Sequence, residues 1–231
     1  MEVAKRIFAV YQKHEALRHI SHLDVQRTLQ RAFRRAQIPL AYSEGFNPHP
    51  QLSFAAAVPT GASSECEWFE VRLSEPLEPA ELVRRTNAAM PKGLLLTRAF
   101  EVPQQMGKLT TMVRAAEYRA TLLADTPLTV ESVQETLKAL LQGEILVQKR
   151  TKGGIRATDI RPQIMQAAVE GIEEQAVCLR VLGKLQADGG LRVSYLTDAL
   201  LDRLGAHGGM ARICRTAMYF DSDGFLPRLP A

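Results

Sequence analysis

Cysteine is scarce in this chain of 231 residues. Cys66, Cys178 and Cys214 stand too far apart for a CxxC pair or a metal-ligand cluster, and their odd number argues against a disulfide framework. Reduced, mostly buried thiols are expected. Long apolar runs are missing as well, for no stretch approaches the roughly 18 uninterrupted apolar residues of a membrane-spanning helix. The opening "MEVAKRIFAVYQKHE" meets charge too early for the apolar core of a secretory signal, so a cytoplasmic protein without membrane contact is expected. Low-complexity segments and sequence-level repeats are absent. What remains is an ordinary globular composition, 46% hydrophobic and 23% charged, with enough apolar mass for a core. The length suits two small domains.

Charge is unevenly placed. The net charge is +4. The first fifty residues carry it all, setting Lys5, Arg6, Lys13, Arg18, Arg27, Arg31, Arg34 and Arg35 against Glu2, Glu15, Asp24 and Glu44, while the rest balances to zero. A local positive field of this kind favours an anionic partner, and RNA or DNA heads the candidates.

Hydropathy periods set out the elements. "RIFAVYQ" alternates as a strand, and a helix is predicted from Ser21 to about Gln37, with Ser21 as N-cap and Asp24 closing a capping box. "QLSFAAAVP" and "CEWFEVRL" read as a hairpin, "EPAELVRRTNAAM" as a helix begun by Pro79, and "LLLTRAFEV" as a strand. After a linker-like "PQQMGK", the pattern restarts with "EYRATLLA" and the helix "TVESVQETLKALL", capped by Thr129. The strands "EILVQKR", "RPQIMQAAVEG" and "AVCLRVLGKL" follow, then the helix "SYLTDALLDRL" and the strand "ARICRTAMYF". The expected fold is α+β: two tandem ferredoxin-like domains of β-α-β-β-α-β order with antiparallel sheets, spanning residues 1–104 and 105–231.

The first helix is predicted to carry Val25, Leu29, Phe33 and Ala36 on one face and Arg27, Arg31, Arg34 and Arg35 on the other. Clustered guanidiniums repel one another unless anions share them, and their planar fork suits phosphate oxygens. The alternative is a solvated helix face. The loop "YSEGFNPHP" is constrained by Gly45, Pro48 and Pro50, and it presents Tyr42, Glu44, Phe46, Asn47 and His49 in fixed positions. Its alternative is a structural turn. A nucleic-acid surface would therefore comprise Arg18, Arg27, Arg31, Arg34 and Arg35, the loop residues Tyr42, Phe46 and Asn47, and a basic turn with Lys149, Arg150, Lys152 and Arg156. The catalytic candidates are His22 and His49 as bases, with Asp24 or Glu44 beside them. The histidines His19, His22 and His49 lack an HExxH or a carboxylate cluster, and Glu65 and Glu67 share a strand face opposite Glu70, so no metal and no cofactor is expected.

"ISHLD", "RAFRRAQIPLAYSEGFNPHPQLSFA" and "DIRPQI" resemble the bacterial radical-SAM-associated protein family of unknown function, most strongly over residues 6–70. Members of that family occur beside or fused to a radical SAM protein with a cobalamin-binding-like region, and the resemblance implies such a partner. This chain has no CxxxCxxC to hold an iron–sulfur cluster, so any radical chemistry would be the partner's. The leading expectation is an accessory protein that binds RNA, such as tRNA or rRNA, and presents it to that partner. The rivals are an RNA-cleaving or RNA-modifying enzyme that uses His22 or His49, and a protein-only adaptor.

Overall fold

The computed structural model describes residues 5–151, 154–174, 176–186, 189–221 and 226–228. The chain divides into two compact units, residues 1–113 with 220–231, and residues 114–219. Both are mixed α+β with mostly antiparallel sheet.

In the first unit the order is β1 (Lys5–Lys13), α1 (His22–Arg35), β2 (Leu52–Phe54), β3 (Ala62–Leu73), α2 (Pro79–Ala89), β4 (Leu94–Glu101) and the single turn α3 (Leu109–Met112). The strands lie side by side as β4-β1-β3-β2, each pair antiparallel. Because side chains alternate across a pleated sheet, odd and even positions of β1 build two different layers. Ile7, Ala9 and Tyr11, with Phe69, Val71 and Leu73 of β3, receive Val25, Leu29 and Phe33 of α1 and Leu82 of α2 in one buried cluster. Phe54 and Phe69 sit in its middle, with ring centroids 5.9 Å apart. The even face is not bare. Phe8 and Val10 are buried there, and Trp68 packs against Phe100 at 5.8 Å and against the returning Phe220 at 5.2 Å, with Arg98 over its indole.

Helix α1 starts and stops where local chemistry dictates. The Ser21 hydroxyl accepts from the Asp24 amide and donates to the Asp24 carboxylate at 2.7 Å, which satisfies one of the free amides of the first turn. At the other end Gln37 N–H bonds to Arg34 C=O and Ile38 N–H to Phe33 C=O, the paired bonds of a Schellman stop, with Ile38 and Phe33 both in the core. That stop puts Gln37 at φ 52°, a conformation glycine adopts without a Cβ penalty. The C-termini of the two helices exchange arginines. Arg35 donates to the Ala89 carbonyl of α2, and Arg85 donates to the Ala36 and Gln37 carbonyls at the end of α1. Cations there oppose the negative end of each helix dipole.

Lys13, at the end of β1, is fully buried. Its ammonium donates to the carbonyls of Arg18 and Ile20 at 3.0 Å each, pinning the segment that leads into α1. Burial holds its pKa below the ordinary lysine value, while the charges of Glu67 and Glu15 pull the other way. Nearby, Gly93 takes φ 92° and its carbonyl accepts from the His14 amide; a Cβ on it would stand 2.9 Å from Leu17 Cδ1.

The second unit runs β5 (Val113–Leu123), α4 (Val130–Leu141), β6 (Leu146–Thr151), β7 (Gly154–Asp159), β8 (Ile164–Glu173), β9 (Ala176–Gln186), the short β10 (Gly189–Gly190), α5 (Val193–Arg203) and β11 (Met210–Phe220). Its main strands lie in the order β8-β9-β5-β11, which repeats the strand order of the first unit. The hairpin β6–β7 is the insertion that distinguishes them. Thr129 caps α4, accepting from the Ser132 amide at 3.1 Å. The return strand β7, "GIRATD", carries little strand propensity and is a strand because each residue pairs with β6, from Leu146 opposite Asp159 to Thr151 opposite Gly154. Among the described residues no helix is long and apolar enough to cross a membrane.

Two stability outcomes follow from these contacts. Gln37→Gly relieves the left-handed strain and raises stability by about 1 kcal/mol, read as a higher urea midpoint. Lys13→Met takes the ammonium donor from the Ile20 carbonyl and from the Arg18 carbonyl, which keeps the Gly61 amide, and the buried Glu67 loses a supporting cation; stability falls by about 3–5 kcal/mol in the same titration.

Candidate nucleic-acid interface

The arginines of α1 have separate fates. Arg27 pairs with Asp24 at 3.3 Å, Arg18 pairs with Glu15 at 3.0 Å in the preceding turn, and Arg35 reaches across to α2. Arg31 and Arg34 are exposed, and among the described residues neither side chain makes a hydrogen bond or an ion pair. They are the cations of this face available to a ligand. Asp24 is held below the usual carboxylate range by the Ser21 hydroxyl first, then by the charges of Arg27 and Arg31.

The loop 42–50 is fastened at its base to Arg72 of β3 and across its own legs, where the Gln51 amide donates to the Ala41 carbonyl at 2.8 Å. The Arg72 carbonyl in β3 accepts from the Ala41 amide at 2.8 Å, and the Arg72 amide donates to the Gln51 carbonyl at 3.1 Å, so both legs hang from one peptide segment. Further up, the Ser43 amide donates to the His49 carbonyl at 2.8 Å, and the His49 amide donates to the Ser43 hydroxyl at 3.0 Å. Gly45 turns the tip at φ 116°. Above this closure Glu44, Phe46, Asn47 and Pro48 are exposed, Phe46 completely, and Tyr42 is about half exposed. A rigid stalk thus holds an aromatic ring in solvent.

Sheet parity separates the helix from the ground beneath the loop. Arg6, Glu70 and Arg72 lie on the even face, opposite the face that α1 covers. Arg6 is 2% exposed and Glu70 8%. Arg6 donates to Glu70 Oε1 at 2.7 Å and Oε2 at 2.8 Å, and its remaining N–H groups go to the carbonyls of Gln104, Met106 and Gly107. All five guanidinium donors are used.

The candidate catalytic residues each have their own surroundings. The ring of His22 meets Phe54 edge-on at 4.8 Å, the Asp24 carboxylate is committed to Ser21 and Arg27, and Glu44 and His49 belong to the loop. Among the described residues no three His, Cys, Asp or Glu side chains group closely enough to hold a metal ion.

In the second unit the β6–β7 hairpin forms its own two-stranded sheet. Lys149 stands directly opposite Arg156, and Arg150 opposite Ile155; Lys152 lies outside the described residues. Like charges facing each other across a ribbon repel. The "DIRPQI" segment is the clasp at its base. Asp159 Oδ1 accepts from the amides of Ile145 and Arg161 at 2.9 Å each, and the Arg161 side chain donates to the carbonyls of Leu141 and Ile164.

Sequence reasoning did not find the Arg6–Glu70 pair or the part Arg72 plays. The i, i+2 spacing of Glu70 and Arg72 in a strand was a signal that they share a face, but the register that brings Arg6 beside Glu70 is written only in the sheet.

Residues 6–192 match the family DUF2344, described as an uncharacterized protein conserved in bacteria, and the chain belongs to that family. Its fold resembles a chain of a Cbf5-Nop10-Gar1 complex, with TM-score 0.53 and 15% identity over 96% of this chain and 52% of that one. It also resembles a chain of an H/ACA RNP bound to a substrate RNA containing 2'-deoxyuridine, with TM-score 0.51 and 12% identity over 96% of this chain and 50% of that one. This chain therefore spans about half the length of either structure, and at such identities the likeness is one of fold. A search of curated proteins found no match.

The clasp yields a direct test. Asp159→Ala removes the side-chain acceptor of two backbone amides and speeds hydrogen exchange of the amides in 146–151 and 154–158 by roughly tenfold, while amides of the β5–β9 ladder keep their protection.

Proposed function

We propose that this protein binds RNA and acts as an accessory, substrate-presenting protein, built as a tandem of two ferredoxin-like domains. The observation that carries the proposal is the exposed cationic face of α1, where Arg31 and Arg34 stand without an ion pair among the described residues. Two guanidiniums side by side on one helix and without a direct ion pair favour an anion that can bridge them, and a phosphodiester backbone supplies such anions in series. The wholly exposed Phe46 and half-exposed Tyr42 add a surface on which an unpaired base can stack. The Lys149–Arg156 pair on the hairpin gains from the same neutralisation. The fold likeness to a chain of an H/ACA RNP bound to a substrate RNA is in keeping with this reading.

The resemblance to the radical-SAM-associated family supplies the rest of the proposal. The RNA is handed to a radical SAM partner with a cobalamin-binding-like region, in the cytoplasm, and the chemistry is the partner's. The rival in which this chain itself cleaves or modifies RNA is weaker, because Asp24 is committed to Ser21 and Arg27.

The test is fluorescence anisotropy of a labelled single-stranded RNA titrated at several salt concentrations. The unaltered protein is expected to bind with a steep salt dependence. Arg31→Glu/Arg34→Glu is expected to flatten the plot of log K against log salt by about 1.4, roughly 0.7 for each phosphate contact on a single strand. Absence of binding, or a slope the double change leaves untouched, overturns the proposal.

A further inference from the structure

Under the loop 42–50, on the even face of the first unit's sheet, an open cleft of about 720 Å3 is lined by residues of the loop, of β2 and β3, and of the turn before α3. Its floor is the Arg6–Glu70 pair. Since Glu70 spends both oxygens on Arg6 at 2.7 and 2.8 Å, its charge is balanced from within. Arg72 lies farther off, 4.0 Å from Glu70, and projects into the cleft beside it. Lys108 comes to the opposite rim because Arg6 holds the carbonyls of Gln104, Met106 and Gly107, and among the described residues it makes no ion pair. The cleft is therefore cationic by construction, with Arg72 and Lys108 in excess over its one carboxylate.

Charge alone fits any anion, but size and lining narrow the choice. A cleft of this volume falls in the range that takes whole small molecules and far exceeds a phosphate group. Beside the two cations it offers the apolar surfaces of Pro50 and Met106 and the hydroxyl of Ser53 on β2, which pairs in register with Glu70. A ligand that uses all of these joins a phosphate to a flat, partly apolar body with hydrogen-bonding edges. We propose that this cleft binds a nucleoside monophosphate unit, with its phosphate on Arg72 and Lys108 and its sugar and base against Pro50, Ser53 and Met106. The inference rests on the RNA-binding reading and deepens it: the unit is an unpaired nucleotide of the bound strand, seated beneath the loop whose tip carries Phe46. The same chemistry describes a free nucleotide, so the experiment separates the two sources.

The probes are the four ribonucleoside 5'-monophosphates, the matching nucleosides and inorganic phosphate, titrated calorimetrically, together with the labelled single-stranded RNA. The proteins are the unaltered chain, Arg72→Gln/Lys108→Gln, Ser53→Tyr and Arg31→Glu/Arg34→Glu. Ser53→Tyr fills the cleft without changing a charge, and unchanged thermal melting of each variant shows that it folds. The expected result is that a monophosphate binds the unaltered chain about tenfold or more tightly than its nucleoside or inorganic phosphate, and that both cleft variants lose this preference. RNA affinity that falls by a similar factor in the cleft variants identifies the source as RNA. Monophosphate binding without RNA binding identifies a free nucleotide and removes the RNA reading instead. Monophosphates that bind no better than phosphate, or that bind the cleft variants as tightly as the unaltered chain, overturn the inference, and RNA binding lost only in Arg31→Glu/Arg34→Glu then leaves the RNA reading in place.

Discussion

A buried guanidinium with every donor taken organises the first unit. Arg6 carries a full charge into a site 2% exposed to solvent, a position that is tolerable only if a counter-charge and hydrogen-bond acceptors surround it. Glu70 supplies the charge from the neighbouring strand, and the carbonyls of Gln104, Met106 and Gly107 supply the remaining acceptors. One side chain thus fixes the β1–β3 register, anchors the turn that follows β4 and presents a neutralised floor to the cleft. A slip of one residue between β1 and β3 would turn Arg6 into the aromatic core and leave Glu70 buried without a partner.

From that constraint the two candidate surfaces follow as separate layers. Odd positions of the strands bury α1 and α2, so the arginine face of α1 must point away from the sheet. Even positions make the cleft, with the loop 42–50 suspended from Arg72 above it. A strand of RNA that used both would have to pass around the β2 edge, where the loop stands. In the second unit, among the described residues, the hairpin β6–β7 has no third strand to lean on, and an isolated ribbon is marginal in water. Asp159 and Arg161 make up for this by fastening its base to the end of α4 and the start of β8.

Several of these features were legible from the chain alone. The cap at Ser21, the end of α1 near Gln37 and the start of α2 at Pro79 depend on contacts between residues a few positions apart, and spacing encodes such contacts directly. The alternation of "RIFAVYQ" and "CEWFEVRL" marked β1 and β3 for the same reason. Strand β7 was not legible, since "GIRATD" becomes a strand only through its partner. The arginines of α1 looked equivalent in the sequence. Their division into paired Arg27, helix-bridging Arg35 and exposed Arg31 and Arg34 depends on where Asp24 and Ala89 come to rest.

The sequence by itself determined much of the local grammar: the longer helices and most of the longer strands, where α1 begins and ends, and that positive charge gathers in the first fifty residues. These are short-range properties, set by propensity, capping and periodicity. Only the tertiary structure decided that Arg6 meets Glu70 across 64 positions, that Arg72 holds both legs of the loop, and that the cleft and the arginine helix lie on opposite faces of one sheet. Those depend on strand register, a choice made by the burial of a whole face at once rather than by any neighbouring residue.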